Sequence, residues 1–287
     1  MQETLTQTST IVLTNGTFQQ LSEFISRELG IKMPLTKRSM LQGRLMKRLR
    51  TLKMNSFEAY CQYLFSPAGK TGELVHMLDA VTTNKTDFFR EPRHFDILTR
   101  TVLPEFVNSR GKYSRRQFTL WSAGCSSGAE PYTLAMIMNE FAQAQGCFDY
   151  LILATDISTR VLIKARDAVY TENEVNPVPP VLKKKYLLRS KNREQGLVRL
   201  VPGIRNKVVF RRLNFMDQDY ALTDVLDVIF CRNVIIYFDR GTQLQVLRRL
   251  CRHLRPDGYL FMGHSETLNG FDLPLKQVST TVYRKIG

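Results

Sequence analysis

The 287-residue sequence is short of several things. No stretch reaches the roughly 18 uninterrupted apolar residues that a membrane span requires, and the first fifteen residues show no basic segment leading into an apolar block, so neither a membrane protein nor a secretory leader is expected. The five cysteines (Cys61, Cys125, Cys147, Cys231 and Cys251) are odd in number and form no CxxC pair. That excludes a disulfide framework and a zinc ribbon and fits a reducing, cytoplasmic setting. The four histidines are scattered, so no metal site is expected. Neither GxGxxG nor GxxxxGK[ST] occurs, which removes the usual dinucleotide and phosphate-loop signatures. Acidic residues are also scarce: 26 Asp+Glu against 41 Lys+Arg leave a net charge of +15.

That excess is uneven. Residues 31–53 hold eight basic side chains and no acidic one, and residues 181–212 hold eleven with only Glu194 opposing them. Such patches draw polyanions, whether nucleic acid, an anionic surface or an acidic protein, or serve only solubility. Hydrophobic residues at 43% are ordinary for a folded protein with a real core.

Residues 1–15 read as a flexible tail and 16–81 as a small all-helical domain. Phe18, Leu21, Phe24 and Leu29 recur at helical spacing before Gly30. A second helix is expected from about 35 to 52, with Leu41, Leu45, Leu49 and Leu52 on one side. Lys37, Arg44, Lys47 and Arg48 fall beside that stripe, in an arc of about 100° at roughly 3.6 residues per turn. Two more helices are expected near 56–65 and 70–81. Residues 82–92, TTNKTDFFREP, break the pattern and read as a linker.

From 93 to 287, after one more helix (93–108), strands and helices alternate. Strands are expected at 117–122, 150–156, 224–231, 259–263 and 276–283, with helices at 131–145, 158–169 and 240–254. This alternation predicts an α/β fold: a doubly wound, Rossmann-like parallel sheet. Residues 171–215 interrupt it with short strand-like runs, 196–201 and 207–213, and read as a small antiparallel β insert.

Three places carry chemistry. Gly124 and Gly128 bracket the turn after the first strand, either a plain strand–helix turn or a close approach for a ligand at a helix N-terminus. Asp156 ends the second strand, where an acid takes both hydroxyls of a ribose or else caps the next helix. Arg232 and Asn233 end the third long strand, and Tyr237 follows, placed against a purine or packed in the core. An adenosine ligand without pyrophosphate glycines favours S-adenosylmethionine over NAD. The (Asp/Asn)-Pro-Pro-aromatic run of many base methyltransferases is absent, which counts against a nucleic-acid substrate.

Five segments in order, TTNKTDFFRE (82–91), GAEPYTLA (128–135), ATDIS (154–158), IFCRNVIIYFD (229–239) and LRPDGYLFMGHSE (254–266), resemble the bacterial chemotaxis receptor glutamate O-methyltransferases, the CheR family. The resemblance runs from about Phe18 to the C-terminus. It implies a class I methyltransferase domain with a small β insert, preceded by an all-α domain. The implied ligand is S-adenosylmethionine, with S-adenosylhomocysteine as product. The implied cofactor positions are Asn84, Thr86, Arg90, Glu130, Asp156, Asn214, Phe215, Arg232, Asn233 and Tyr237, with Arg90 and Tyr237 fixing the reacting geometry. The implied partners are chemoreceptor cytoplasmic helices, acidic surfaces that Lys37, Arg44, Lys47 and Arg48 would meet. Some relatives also bind a tethering peptide at the receptor C-terminus through the insert. Here the tip, SKNREQG (190–196), is charged and has no glycine before Gly196, so that reading stays open. A carboxylate acceptor is already ionised at neutral pH and needs no general base.

Overall fold

The computed structural model describes residues 11–108, 117–146, 148–222 and 225–287. Contacts divide the chain into two compact units, meeting between Thr83 and Asn84.

The first unit is helical: α1 (Asn15–Leu29), α2 (Arg38–Thr51), α3 (Phe57–Phe65) and α4 (Pro67–Val81). Short polar side chains start three of them. The Thr14, Ser56 and Ser66 side chains accept from the N–H groups of Thr17, Ala59 and Gly69, satisfying donors that a helix start leaves open. Leu21, Leu41, Leu45, Leu49, Phe57 and Leu64 are completely buried between the helices.

Two expectations change here. Residues 1–10 lie outside the described residues, but the rest of the expected tail is anchored. Leu13 is completely buried, and its N–H donates to Gln42 Oε1 at 2.9 Å. The second helix starts later than expected. Leu35–Lys37 form a separate 3-10 turn, so Lys37 is off the α2 face.

The second unit opens with the segment expected to be a linker. Phe88 is 2% exposed within the core, and the Phe89 N–H donates to Thr133 Oγ1 at 3.1 Å, so this segment is integral to the unit. Then follow α5 (Arg93–Ile97), a π turn, α6 (Leu103–Asn108), β1 (Phe118–Ala123), α7 (Ala129–Gln145), β2 (Tyr150–Asp156), α8 (Thr159–Asp167), β3 (Val169–Thr171), α9 (Pro180–Tyr186), β4 (Leu187–Arg189), β5 (Leu197–Leu200), α10 (Pro202–Arg205), β6 (Val208–Arg212), β7 (Leu226–Cys231), α11 (Arg240–His253), β8 (Leu254–Met262), β9 (Leu275–Ser279) and β10 (Val282–Lys285).

Seven strands form one sheet in the order β6-β2-β1-β7-β8-β10-β9. The first five are parallel, and β10 and β9 close it antiparallel. The chain leaves β1 toward β2 in one direction and returns through β7 on its other side. The reversal opens a crevice at the carboxyl ends of β1, β2 and β7, where open α/β sheets bind ligands. All six residues of β7 are buried, as a central parallel strand covered on both faces requires. Phe230 and Phe261 stack across β7 and β8 with centroids 4.3 Å apart.

The insert is smaller than the expected 171–215. Its antiparallel sheet is β3-β5-β4, while the run near 207–213 is β6, a parallel edge strand of the main sheet paired with β2. Val208, Leu213 and Ile204 are buried, which a solvent-exposed hairpin would not achieve. The expected last strand, 276–283, is two strands, because Thr281 turns the chain at φ +57.

Candidate active site

The turn after β1 is tied to β2: the Gly124 and Cys125 N–H groups both donate to the Thr155 carbonyl, at 2.8 and 2.9 Å. Gly124 and Gly128 have φ of +81 and +92. Their neighbours are protein atoms. A Cβ on Gly124 would meet Val234 Cγ2 at 2.5 Å, and one on Gly128 would meet the Tyr170 hydroxyl at 2.8 Å. These glycines therefore serve the turn and its packing.

Asp156 ends β2 and is 8% exposed. Its Oδ2 accepts from the Ser126 N–H at 2.8 Å and its Oδ1 from the Ser158 N–H at 2.9 Å. The cap of α8 is Ser158, whose side chain accepts from Val161. Asp156 is therefore not the cap; its carboxylate is clamped at the mouth of the crevice. Ser126 also donates through Oγ to the Asn84 carbonyl at 2.7 Å, which sets Asn84 beside that mouth. Leu213 donates to the Asp156 carbonyl at 3.0 Å, bringing Asn214 and Phe215 to the same end of β2. Phe215 meets the Phe238 ring at 6.4 Å, next to Tyr237, which is half-buried in a 3-10 turn. Thr86 lies half-buried between Asn84 and Phe88.

Arg232, one of the expected cofactor positions, turns its side chain to protein partners. Its side chain is 2% exposed, and its guanidinium donates to three protein groups. Nη1 donates to Glu130 Oε2 at 3.1 Å, Nε to Glu91 Oε2 at 3.2 Å, and Nη2 to the Arg90 carbonyl. The guanidinium also lies 5.6 Å over the Phe95 ring. Arg232 thus holds its neighbours, while the Arg90 guanidinium is partly exposed and its Nη1 donates to the Lys85 carbonyl at 3.4 Å. Burial pushes the Glu130 carboxyl up against the pull of Arg232, and Ser122 Oγ donates to its Oε1 at 2.6 Å. Burial also raises Glu91, but there the charge and hydrogen bond of Arg232, together with the His264 N–H and ring, more than offset it, and its carboxyl is held below the ordinary range.

Sequence reasoning assigned no role to Glu91, His94, Glu266 or His264. Glu91 and Glu266 close two of the quoted segments, an acid at the end of a motif being the only signal available. The scattered histidines predicted no cluster, yet the fold brings ligand atoms of Glu91, His94 and His264 within 4.8 Å of one another. Arg232 Nη2 lies 3.0 Å from the same Glu91 oxygen, and a buried guanidinium there repels a divalent cation. Burial lowers the His94 pKa to about 4, and Arg232 adds to the shift, so its ring is neutral.

Cys125 and Cys231 are buried and their thiols are pushed up by burial, so they behave as small apolar side chains. In the first unit, two of the four residues expected to face an acidic partner are committed internally. Arg48 donates to both oxygens of the buried Glu73, at 2.9 and 2.6 Å, and Arg44 donates to the Val81 carbonyl and Thr83 Oγ1. Lys37 Nζ reaches the Lys32 carbonyl at 3.2 Å, while Lys47 is exposed.

An open parallel sheet with a clamped acid after its second strand defines an adenosine-binding domain of the class I methyltransferase kind. Residues 84–284 match the CheR methyltransferase SAM binding domain, and residues 16–82 match the CheR methyltransferase all-alpha domain. The chain belongs to the CheR methyltransferase family. It is 36% identical to a chemotaxis protein methyltransferase of Borreliella burgdorferi, over 96% of each chain. It is 38% identical to chemotaxis protein methyltransferase 2 of Pseudomonas aeruginosa, over 94% of this chain and 93% of the relative. The Escherichia coli chemotaxis protein methyltransferase is 35% identical, over 97% and 94%.

The side chains at the crevice suit S-adenosylmethionine. A carboxylate at Asp156 is an acceptor-only group for a ribose diol, and the Arg90 guanidinium matches a carboxylate in forked geometry. Among the described residues, no helix is long and apolar enough to cross a membrane.

Proposed function

We propose that this chain transfers methyl groups from S-adenosylmethionine to glutamate side chains on the cytoplasmic helices of chemoreceptors, forming glutamate methyl esters in receptor adaptation. The observation that carries this reading is the union, in one chain, of the SAM binding and all-alpha domains over nearly the full length of chemotaxis methyltransferases. When bound, S-adenosylmethionine supplies a sulfonium methyl that a carboxylate oxygen can take, leaving S-adenosylhomocysteine.

The protein's own residues bind and orient. Asp156 takes the ribose, with Asn84 and Thr86 beside it. Asn214 and Phe215 bound the adenine end. Arg90, Glu130 and Asn233 define the amino-acid end, Arg232 holds Arg90 and Glu130 in place, and Tyr237 closes over the reacting centre. An ionised acceptor needs no base, so the work is positioning and the removal of water from a weak oxygen nucleophile. Lys47, with the exposed Arg50 on the same helix, meets the acidic receptor surface and acts mainly on association rate. In the insert, β4 pairs only with β5 among the described residues, so its other edge offers strand addition to a receptor tethering peptide.

Peptide mass spectrometry of a receptor cytoplasmic fragment, incubated with the protein and S-adenosylmethionine, tests this. Methylation confined to glutamates supports it. Methylation of another residue type, or none by a chain that binds the cofactor, overturns it.

A further inference from the structure

The Glu266 carboxylate is 3% exposed and accepts four backbone N–H groups. Oε1 takes those of Val234 and Ile235, at 2.8 and 2.9 Å, and Oε2 takes those of Asn233 and Gly263, at 2.9 and 2.7 Å. The Asn233, Val234 and Ile235 N–H groups converge as in a backbone nest, an arrangement that favours an anion. Here the anion is a side chain of the protein, delivered by a tight turn in which the Glu266 N–H donates to the Gly263 carbonyl at 2.9 Å.

Asn233 sits at the start of this nest with φ +59, a left-handed conformation that Asn tolerates better than most side chains but that still costs more than it would for glycine. A second device acts on the same residue. A Cβ on Gly263 would lie 2.6 Å from Asn233 Nδ2 and 2.8 Å from its backbone nitrogen, so only glycine lets Asn233 approach. The segment after β8 is therefore a socket for the turn after β7, and that turn leads directly into the 3-10 turn carrying Tyr237.

We propose that Glu266 is a positioning residue for the cofactor site, holding Asn233 in its left-handed turn and thereby setting the path to Tyr237. The proposal rests on the assignment of Asn233 and Tyr237 to the S-adenosylmethionine site.

The test is calorimetric binding of S-adenosylhomocysteine to the full chain, read beside thermal melting, for wild type, Glu266→Gln and Glu266→Asp. Gln keeps the shape but turns an NH2 donor toward two backbone N–H groups; Asp keeps the charge but draws it back. Both variants are expected to bind about tenfold or more weakly while still folded, and Asp keeps the test open if Gln does not fold. In an Asn233→Gly background the left-handed turn carries no strain, so the added loss from Glu266→Gln should shrink, a coupling that a remote stabilising role would not show. Lowered melting with unchanged affinity in the folded variants overturns the proposal. Wild-type protein that fails to bind S-adenosylhomocysteine overturns the site assignment along with it.

Discussion

Arg232 and Glu130 form a buried ion pair at 3.1 Å, and the same guanidinium lies 3.0 Å from Glu91. One cation from the end of β7 thus joins the first turn of α7 to the segment entering α5. Replacing it takes the buried countercharge from two carboxylates, leaving Glu130 with the Ser122 hydroxyl and Glu91 with the His264 N–H. Arg232→Met is expected to lower stability by about 3–5 kcal/mol, seen as a reduced midpoint in urea. Arg232→Lys should recover only part, since an ammonium cannot span both acids as the planar fork does. Wild-type stability in the Met variant would contradict the role given to this pair.

His94 gives the fold a pH dependence with a defined sign. Its ring is 1% exposed and its pKa is lowered to about 4 from 6.5, chiefly by burial. Between those values the unfolded chain binds the proton and the folded one does not. The contribution is therefore fully present above about pH 6.5 and is lost as pH falls toward 4, amounting to about 3 kcal/mol. Denaturant titrations across that range should show the slope in wild type and a flatter one in His94→Gln.

Within the helical unit, neighbouring cations separate by function. Arg48→Ala strands Glu73, which is 2% exposed and also accepts from the Tyr60 hydroxyl, and should cost about 3 kcal/mol. Lys47→Ala should leave stability within about 0.5 kcal/mol. It should instead slow association with a receptor fragment and weaken its salt dependence, measurable by stopped flow at several ionic strengths.

Arg90 and Tyr237 should separate in steady-state kinetics. Arg90→Ala removes the cation proposed to meet the cofactor's carboxylate, so KM for S-adenosylmethionine is expected to rise about tenfold or more. Tyr237→Ala opens the reacting centre while Asp156 and Arg90 stay in place, so it should act more on kcat than on KM. The reverse pattern would reassign the two residues.

Much of this was legible in the sequence. The apolar run before Asp156, the glycine turn and the strand–helix alternation identify the sheet because period and punctuation are local signals. The β6 edge was not: residues 207–213 look the same as a hairpin arm and as a parallel edge strand, and only the pairing with β2 decides. Arg232 was placed at the correct strand end, yet its partners Glu91 and Glu130 lie 141 and 102 positions away, so its enclosure between two acids has no local trace. The same holds for Glu266, which acts on residues 31 to 33 positions earlier. The basic face of α2 read as one surface because spacing shows direction but not what a side chain already holds.

The most direct test of the central claim uses methyl-labelled S-adenosylmethionine, the purified chain, a receptor cytoplasmic fragment and nucleic acid as a parallel acceptor. Glutamyl methyl esters are base-labile, so the account predicts label on the receptor fragment that mild alkali releases as methanol. Alkali-stable label, or label on nucleic acid alone, would contradict it.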